Sequence, residues 1–281
     1  MIFNSDPGHV ADTLNPRVRK PVIHPKRSAL LVNDRNYFRA AATTTTFGGC
    51  KIVRVDSLPQ LTAACVVECE SPNLSDLRRV WAQLANFKID EFRTYLYGKQ
   101  RVDLFEQIGC AREIEVAYHM QVDQASPARV PPNIKVRDLT RADDPIKISL
   151  LDEDSARPDG KASHARDYVE LERLKIEAGY MKGFMIEVDD EPAGFFSLSI
   201  QNDLVRMKNL FSAPRMRGQG CGAAIIAFAR EFGRKNGKQH LGVFAIEGGA
   251  GERLYARNGM KAIGAQTEYS AKIDTLMELP K

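Results

Sequence analysis

The sequence predicts an α/β (α+β) protein: a mixed sheet with helices on both faces, arranged as two related copies of which the first is degenerate. Three observations carry this expectation. Antiparallel hairpin spacing opens each half and a β-α-β-α-β run closes it, which calls for a sheet with helices on both faces. In the second half a strand passes through a glycine-rich turn, with Gly218, Gly220 and Gly222, straight into a helical run at 223–234 with almost no breakers. The two halves also echo one another at an offset of 150, with Phe105 and Gly109 in the first matching Tyr255 and Gly259 in the second.

In chain order, 1–28 reads as a basic arm. It holds five Lys and Arg against Asp6 and Asp12, and Pro7, Pro16, Pro21 and Pro25 oppose regular structure. A short strand is expected at 29–32, then strands at 41–47, 50–55 and 61–68, rich in Thr and Val and bounded by turn residues. A helix of period 3.6 from 72 places Leu74, Leu77, Val80, Trp81, Leu84 and Phe87 on one face. A strand at 91–97, a helix at 99–108 and a strand at 112–122 complete a first domain at 29–125. The proline-rich piece 126–133 is the expected linker.

A second domain is expected at 134–281. It begins with a strand at 134–138, helices at 143–151 and 163–178, and strands at 184–188 and 193–200 joined by a turn at Asp189 and Asp190. A strand at 204–212 leads into the glycine turn. After it come a helix at 223–235, a strand at 241–246, a helix at 249–258, and two final strands at 260–263 and 268–273.

The 281 residues are 43% hydrophobic and 27% charged, in the range of globular proteins, and no apolar run approaches the ~18 residues needed to span a bilayer. No secretory signal is visible, so a cytoplasmic protein is expected. The five cysteines (50, 65, 69, 110 and 221) and five histidines are scattered; buried free thiols are expected, and no metal site follows from spacing. Net charge is +4, of which +3 lies in 1–28, leaving +1 for the other 253 residues.

The turn carries the chemistry. A helix start leaves backbone N–H groups unpaired at the positive end of the helix dipole, and glycines let the backbone approach an anion, so 217–222 reads as a phosphate cradle with Arg217 adding charge at its mouth. Arg217-Gly218-Gln219-Gly220-Cys221-Gly222, lying between strand and helix and followed by Tyr255 three residues before Asn258-Gly259, resembles the central motif of the GNAT acyltransferase superfamily over the last ~145 residues. The resemblance implies a splayed sheet that binds acetyl-CoA or another acyl-CoA. The amides of Arg217, Gly218, Gln219, Gly220, Cys221 and Gly222 would hold its pyrophosphate, and backbone groups of Phe211 and Ser212 would pair with the pantetheine arm. Tyr255 stands at the family's general-acid position, where a phenol of pKa ~10 can protonate the leaving thiolate. The matching Phe105 cannot, which marks the first copy as non-catalytic.

Two departures stand out: Gly248 replaces the asparagine that often precedes the tyrosine by seven residues, and Met260 replaces the usual phenylalanine after Gly259. The base is open among Glu187, Asp203, His164 and His240, or water. Asp152, Glu153 and Asp154 can attract a cationic amine or simply be solvated. The expected function is transfer of an acyl group from acyl-CoA to a small-molecule amine, with a homodimer as a possible assembly. The alternatives are a transferase using aminoacyl-tRNA, which the near-neutral body disfavours, and a non-catalytic acyl-CoA sensor.

Overall fold

The computed structural model describes residues 25–70, 72–96, 102–125, 129–155 and 164–279. Residues 1–24 of the expected arm, 126–128 of the expected linker and 97–101 fall outside it. Eight helices are described: α1 (Pro25–Arg39), α2 (Leu74–Asn86), α3 (Val102–Gln107), α4 (Asp144–Ser155), α5 (Ala165–Glu177), α6 (Cys221–Lys235), α7 (Ala250–Arg257) and α8 (Ile273–Met277). The strands are β1 (Thr43–Phe47), β2 (Cys50–Arg54), β3 (Cys65–Cys69), β4 (Glu91–Tyr95), β5 (Ala111–Gln121), β6 (Ile134–Asp138), β7 (Lys182–Val188), β8 (Glu191–Gln201), β9 (Leu204–Ser212), β10 (His240–Ile246) and β11 (Lys261–Lys272).

All eleven strands form one sheet in the order β1-β2-β3-β4-β11-β5-β10-β9-β8-β7-β6. The halves exchange their last strands: β5 lies between β10 and β11, and β11 lies between β4 and β5. The exchange is visible in the aromatic packing. Tyr118 of β5 stacks on Tyr255 of α7 at 5.7 Å, and Tyr269 of β11 stacks on Phe105 of α3 at 5.2 Å. Each strand therefore completes the hydrophobic core of the other half. Hairpins are set by residues that accept positive φ: Asp189 (51°) and Asp190 (65°) between β7 and β8, as a tight primed turn requires.

The two faces are covered by different helices. On β10, Leu241, Val243 and Ala245 join the core that contains α6, whereas Phe244 and Gly242 face α1. A Cβ on Gly242 would stand 2.6 Å from Leu30, so glycine lets α1 sit directly on the strand.

Four expectations change. Residues 29–32 are helical: Leu30 is fully buried under the sheet and the turn of α1 satisfies the backbone that an isolated strand would leave open. The arm's last residues are folded, since Arg27 donates to the carbonyl of Ala265 and fills the space over Gly264, where β11 bulges. That bulge keeps 261–272 as one strand instead of two. Cys50 and Cys69 are not free thiols but a disulfide, brought opposite each other by the β2–β3 register; Cys65, Cys110 and Cys221 are free and buried.

Candidate active site

Strands β9 and β10 pair in parallel only from Leu204 to Arg206 and then part. Beyond that point β9 still pairs with β8, and β10 with β5, so the inner edges of both strands are open. The opening leads to the turn before α6. Gly218 (φ 81°) and Gly220 (φ 96°) adopt conformations that other residues rarely take, and nothing lies within 4 Å of where a Cβ on Gly218 would be. The first bond of α6 runs from Ala224 N to Gly220 O, so the amides of Cys221, Gly222 and Ala223 precede the helix's own ladder. No acid stands in the first turn of α6.

The first half shows the contrast. There β3 and β4 also diverge, pairing only at Val67 and Thr94, but the Thr94 hydroxyl donates to Val67 O at 2.7 Å. The start of α2 is taken by protein: Asn73 accepts from Asp76 N, and a Cβ on Gly48 would meet the Asp76 carboxylate at 2.4 Å. Phe105 is fully buried.

The residues singled out from sequence have distinct local roles. Gly222 is a packing position, since a Cβ would stand 2.7 Å from the Leu254 methyls and push α6 from α7. The Cys221 thiol is 3% exposed and burial raises its pKa, which suits structure and not reactivity. Gln219 folds back to Arg215 O at 3.1 Å. Arg217 is not an open charge: it binds Asp154 at 2.8 Å and Ser212 O at 3.2 Å. Arg215 likewise pairs with Glu153 at 2.6 Å, so these two acids of α4 answer the cradle's arginines instead of standing free. Phe211 and Ser212 lie on the open edge of β9, opposite Phe195 and Gly194 of β8. Tyr255 is 5% exposed, and burial holds its phenol well above the usual range.

Behind β9 lies a cavity of about 310 Å³ that sequence reading did not find. Residues of both halves line it: Tyr37 and Phe38 of α1 and Arg93 of β4 from the first, and Lys147, Glu172, Lys208 and Asn209 from the second. Glu172 is 3% exposed, ion-paired with Lys147, hydrogen-bonded by Ser197, and reached by Asn209 at 3.2 Å. Asn209 has φ 54° where β9 slips register against β8, and this turns its side chain out of the regular alternation. A signal was present: Val169, Glu172 and Lys175 fall on the buried face of α5, so charge lay on an apolar stripe. The four earlier base candidates do not line this cavity. Glu187 pairs with Arg137, Asp203 with Lys26 and His240, and His164 with Asp167; His240 also meets His119 at 3.1 Å.

Among the described residues, no group of three or more His, Cys, Asp and Glu side chains is placed to hold a metal, and no helix is long and apolar enough to cross a membrane.

A search of curated proteins by sequence finds no match. Solved structures resemble the chain over most of its length. One is a conserved protein of unknown function from Staphylococcus epidermidis (TM-score 0.61, 15% identity, 83% of this chain and 95% of that one). Another is a GCN5-related N-acetyltransferase from Kribbella flavida (0.61, 9%, 86% and 94%). A third is a tandem GNAT protein from the clavulanic acid biosynthesis pathway (0.56, 10%, 86% and 87%). At such identities the likeness is one of fold. The family model of the acetyltransferase (GNAT) domain matches residues 153–279, the span that holds the splayed strands, the glycine turn and Tyr255. Residues 153–279 thus match a GNAT acetyltransferase domain, and the first half of the chain shares its sheet.

Proposed function

We propose that the chain is an N-acyltransferase that moves an acyl group, acetyl in the first instance, from acyl-CoA to the amine of a small molecule by direct attack. One observation carries this: the open edge of β9 runs into an acid-free helix start on one side and borders a cavity on the other. Acyl-CoA supplies an electrophilic thioester carbonyl. The amides at 218–223 bind its pyrophosphate, and the free edge at Phe211 and Ser212 pairs with the amides of its arm, fixing the carbonyl beside the cavity. Tyr255, held protonated by burial, is the proton source for the thiolate. Glu172, the one carboxylate among the described residues lining the cavity, is placed to take the amine's proton. Domain limits at 29–125 and 134–281 remain part of this proposal, with one working cofactor site in the second.

The test is thermal unfolding with acetyl-CoA and longer acyl-CoAs. At a hundred times Kd, binding adds about 2.7 kcal/mol to stability. Absence of any rise in Tm with every acyl-CoA tried sinks the proposal.

A further inference from the structure

We propose that the acceptor is an amine bearing its own anionic group, a carboxylate or equivalent, on a flat apolar body, and that Lys208 holds that group. The inference rests on the cavity being the acceptor site of the transferase proposed above.

The cavity's charges are unevenly answered. Lys147 and Glu172 satisfy each other and are both almost fully buried. Arg93 is tied to Glu268 at 3.1 Å and to the Tyr95 hydroxyl at 2.8 Å. Lys208 is different. Its bonded carboxylate is Asp34, 3.1 Å away, which Arg206 already engages at 2.5 Å, so two cations share one buried acid. The Lys208 side chain keeps 23% of its surface exposed, and it lines the cavity. The strain shows in neighbouring basicities. Burial and then Arg206 pull Lys208 below its ordinary range, and burial and then Lys208 bring Lys175 down to about 7. An anion placed at Lys208 relieves both.

The walls specify the rest of the ligand. The Lys208 ammonium stands 4.1 Å from the Tyr37 ring centre and 5.6 Å from that of Phe38, and the Arg93 guanidinium stands 5.3 Å from Phe38. Cations thus lie over the Tyr37 and Phe38 rings, and Phe195 and Phe211, stacked at 5.1 Å, line the same cavity. A flat body against Phe195 and Phe211 can bring its acid to Lys208. Lys208 and Phe211 are three residues apart on β9, so their Cα atoms stand at most about 10 Å apart, which places both at one small site. With a volume of about 310 Å³, the cavity is at the small end of ligand sites, which suits a compact zwitterion.

The test compares 4-(aminomethyl)benzoate with benzylamine, using acetyl-CoA as donor. The carboxylate is expected to raise kcat/KM about tenfold or more, the effect of a hydrogen-bonded charge. Lys208→Gln should bring the two amines together, and Lys208→Arg should restore the difference; this ratio is internal to each variant, so a general loss of stability does not mimic it. Equal turnover of both amines, or preference for benzylamine, overturns the proposal while leaving acyl transfer intact. If neither amine turns over, calorimetry of the same two probes decides. Tighter binding of the carboxylate probe, lost in Lys208→Gln, supports the site, and no such difference refutes it. Acetyl-CoA binding, measured alone, reports separately on the transferase reading.

Discussion

Replacing Tyr255 by phenylalanine separates chemistry from packing, because the ring packs in the core while the hydroxyl carries the proposed acid role. The ring is 5% exposed, packs on Tyr118 at 5.7 Å, and lies 3.3 Å from where a Cβ on Gly251 would be. Phenylalanine keeps all of those contacts and leaves no cavity. The cost of the lost hydroxyl is therefore about 1 kcal/mol or less, which for a chain of this size moves Tm by only about 2–4 °C. The proton transfer proposed for it would be worth far more: general acid catalysis contributes roughly 10²–10⁴-fold, or about 3–5 kcal/mol of barrier. Burial also sets the pH behaviour. A phenol held well above its ordinary pKa of 10.0 stays protonated, so the wild type should show no decline below pH 10 that Tyr255→Phe removes. The assay is thiol release from acetyl-CoA with the best amine of the acceptor panel, followed from pH 6 to 10 beside melting curves. A variant within about threefold of the wild type would refute the general-acid role.

Two further outcomes concern the buried charges that join the halves. Asp34→Ala leaves Arg206, 2% exposed, and Lys208 without their shared carboxylate and should cost about 3–5 kcal/mol in urea unfolding; a loss below about 1 kcal/mol contradicts the network. Lys175, at about 7 when folded against an ordinary 10.5, makes the unfolded chain bind more protons between those values. The Lys175 contribution to stability should therefore rise with pH across that window by up to about 1.4 kcal/mol per pH unit and be flat at its lowest below it; Lys175→Met should reduce the slope, leaving the share of Lys208, and a slope unchanged by that substitution would refute the burial argument.

What could be read from sequence follows the range of the forces involved. Elements of both halves are legible because hydrophobic period, turn residues and glycines act over a few neighbours: Leu77, Val80, Trp81 and Leu84 do form one buried stripe, and Asp189 and Asp190 do turn β7 into β8. The same locality misled at 29–32, where an apolar run too short to distinguish strand from helix became α1 once the sheet beneath it was in place. It also misled at Cys50 and Cys69, whose pairing is a matter of register between strands.

The site divides in the same way. The glycine turn and Tyr255 were fixed in sequence by local geometry, namely a helix start that needs positive φ before it and a tyrosine two elements later. The cavity was not, because its walls come from α1, β4, α4, α5 and β9, and no periodicity relates Tyr37 and Arg93 to Glu172 and Lys208. Sequence alone determined a GNAT-like domain with one cradle, and the first copy's lack of one. Only the tertiary structure decided that the copies exchange β5 and β11, that Asp154 already answers Arg217, and that the first half contributes an aromatic, cationic wall to the second half's site. The physical reason is that strand exchange and charge burial depend on residues more than a hundred positions apart, which meet only when the sheet closes.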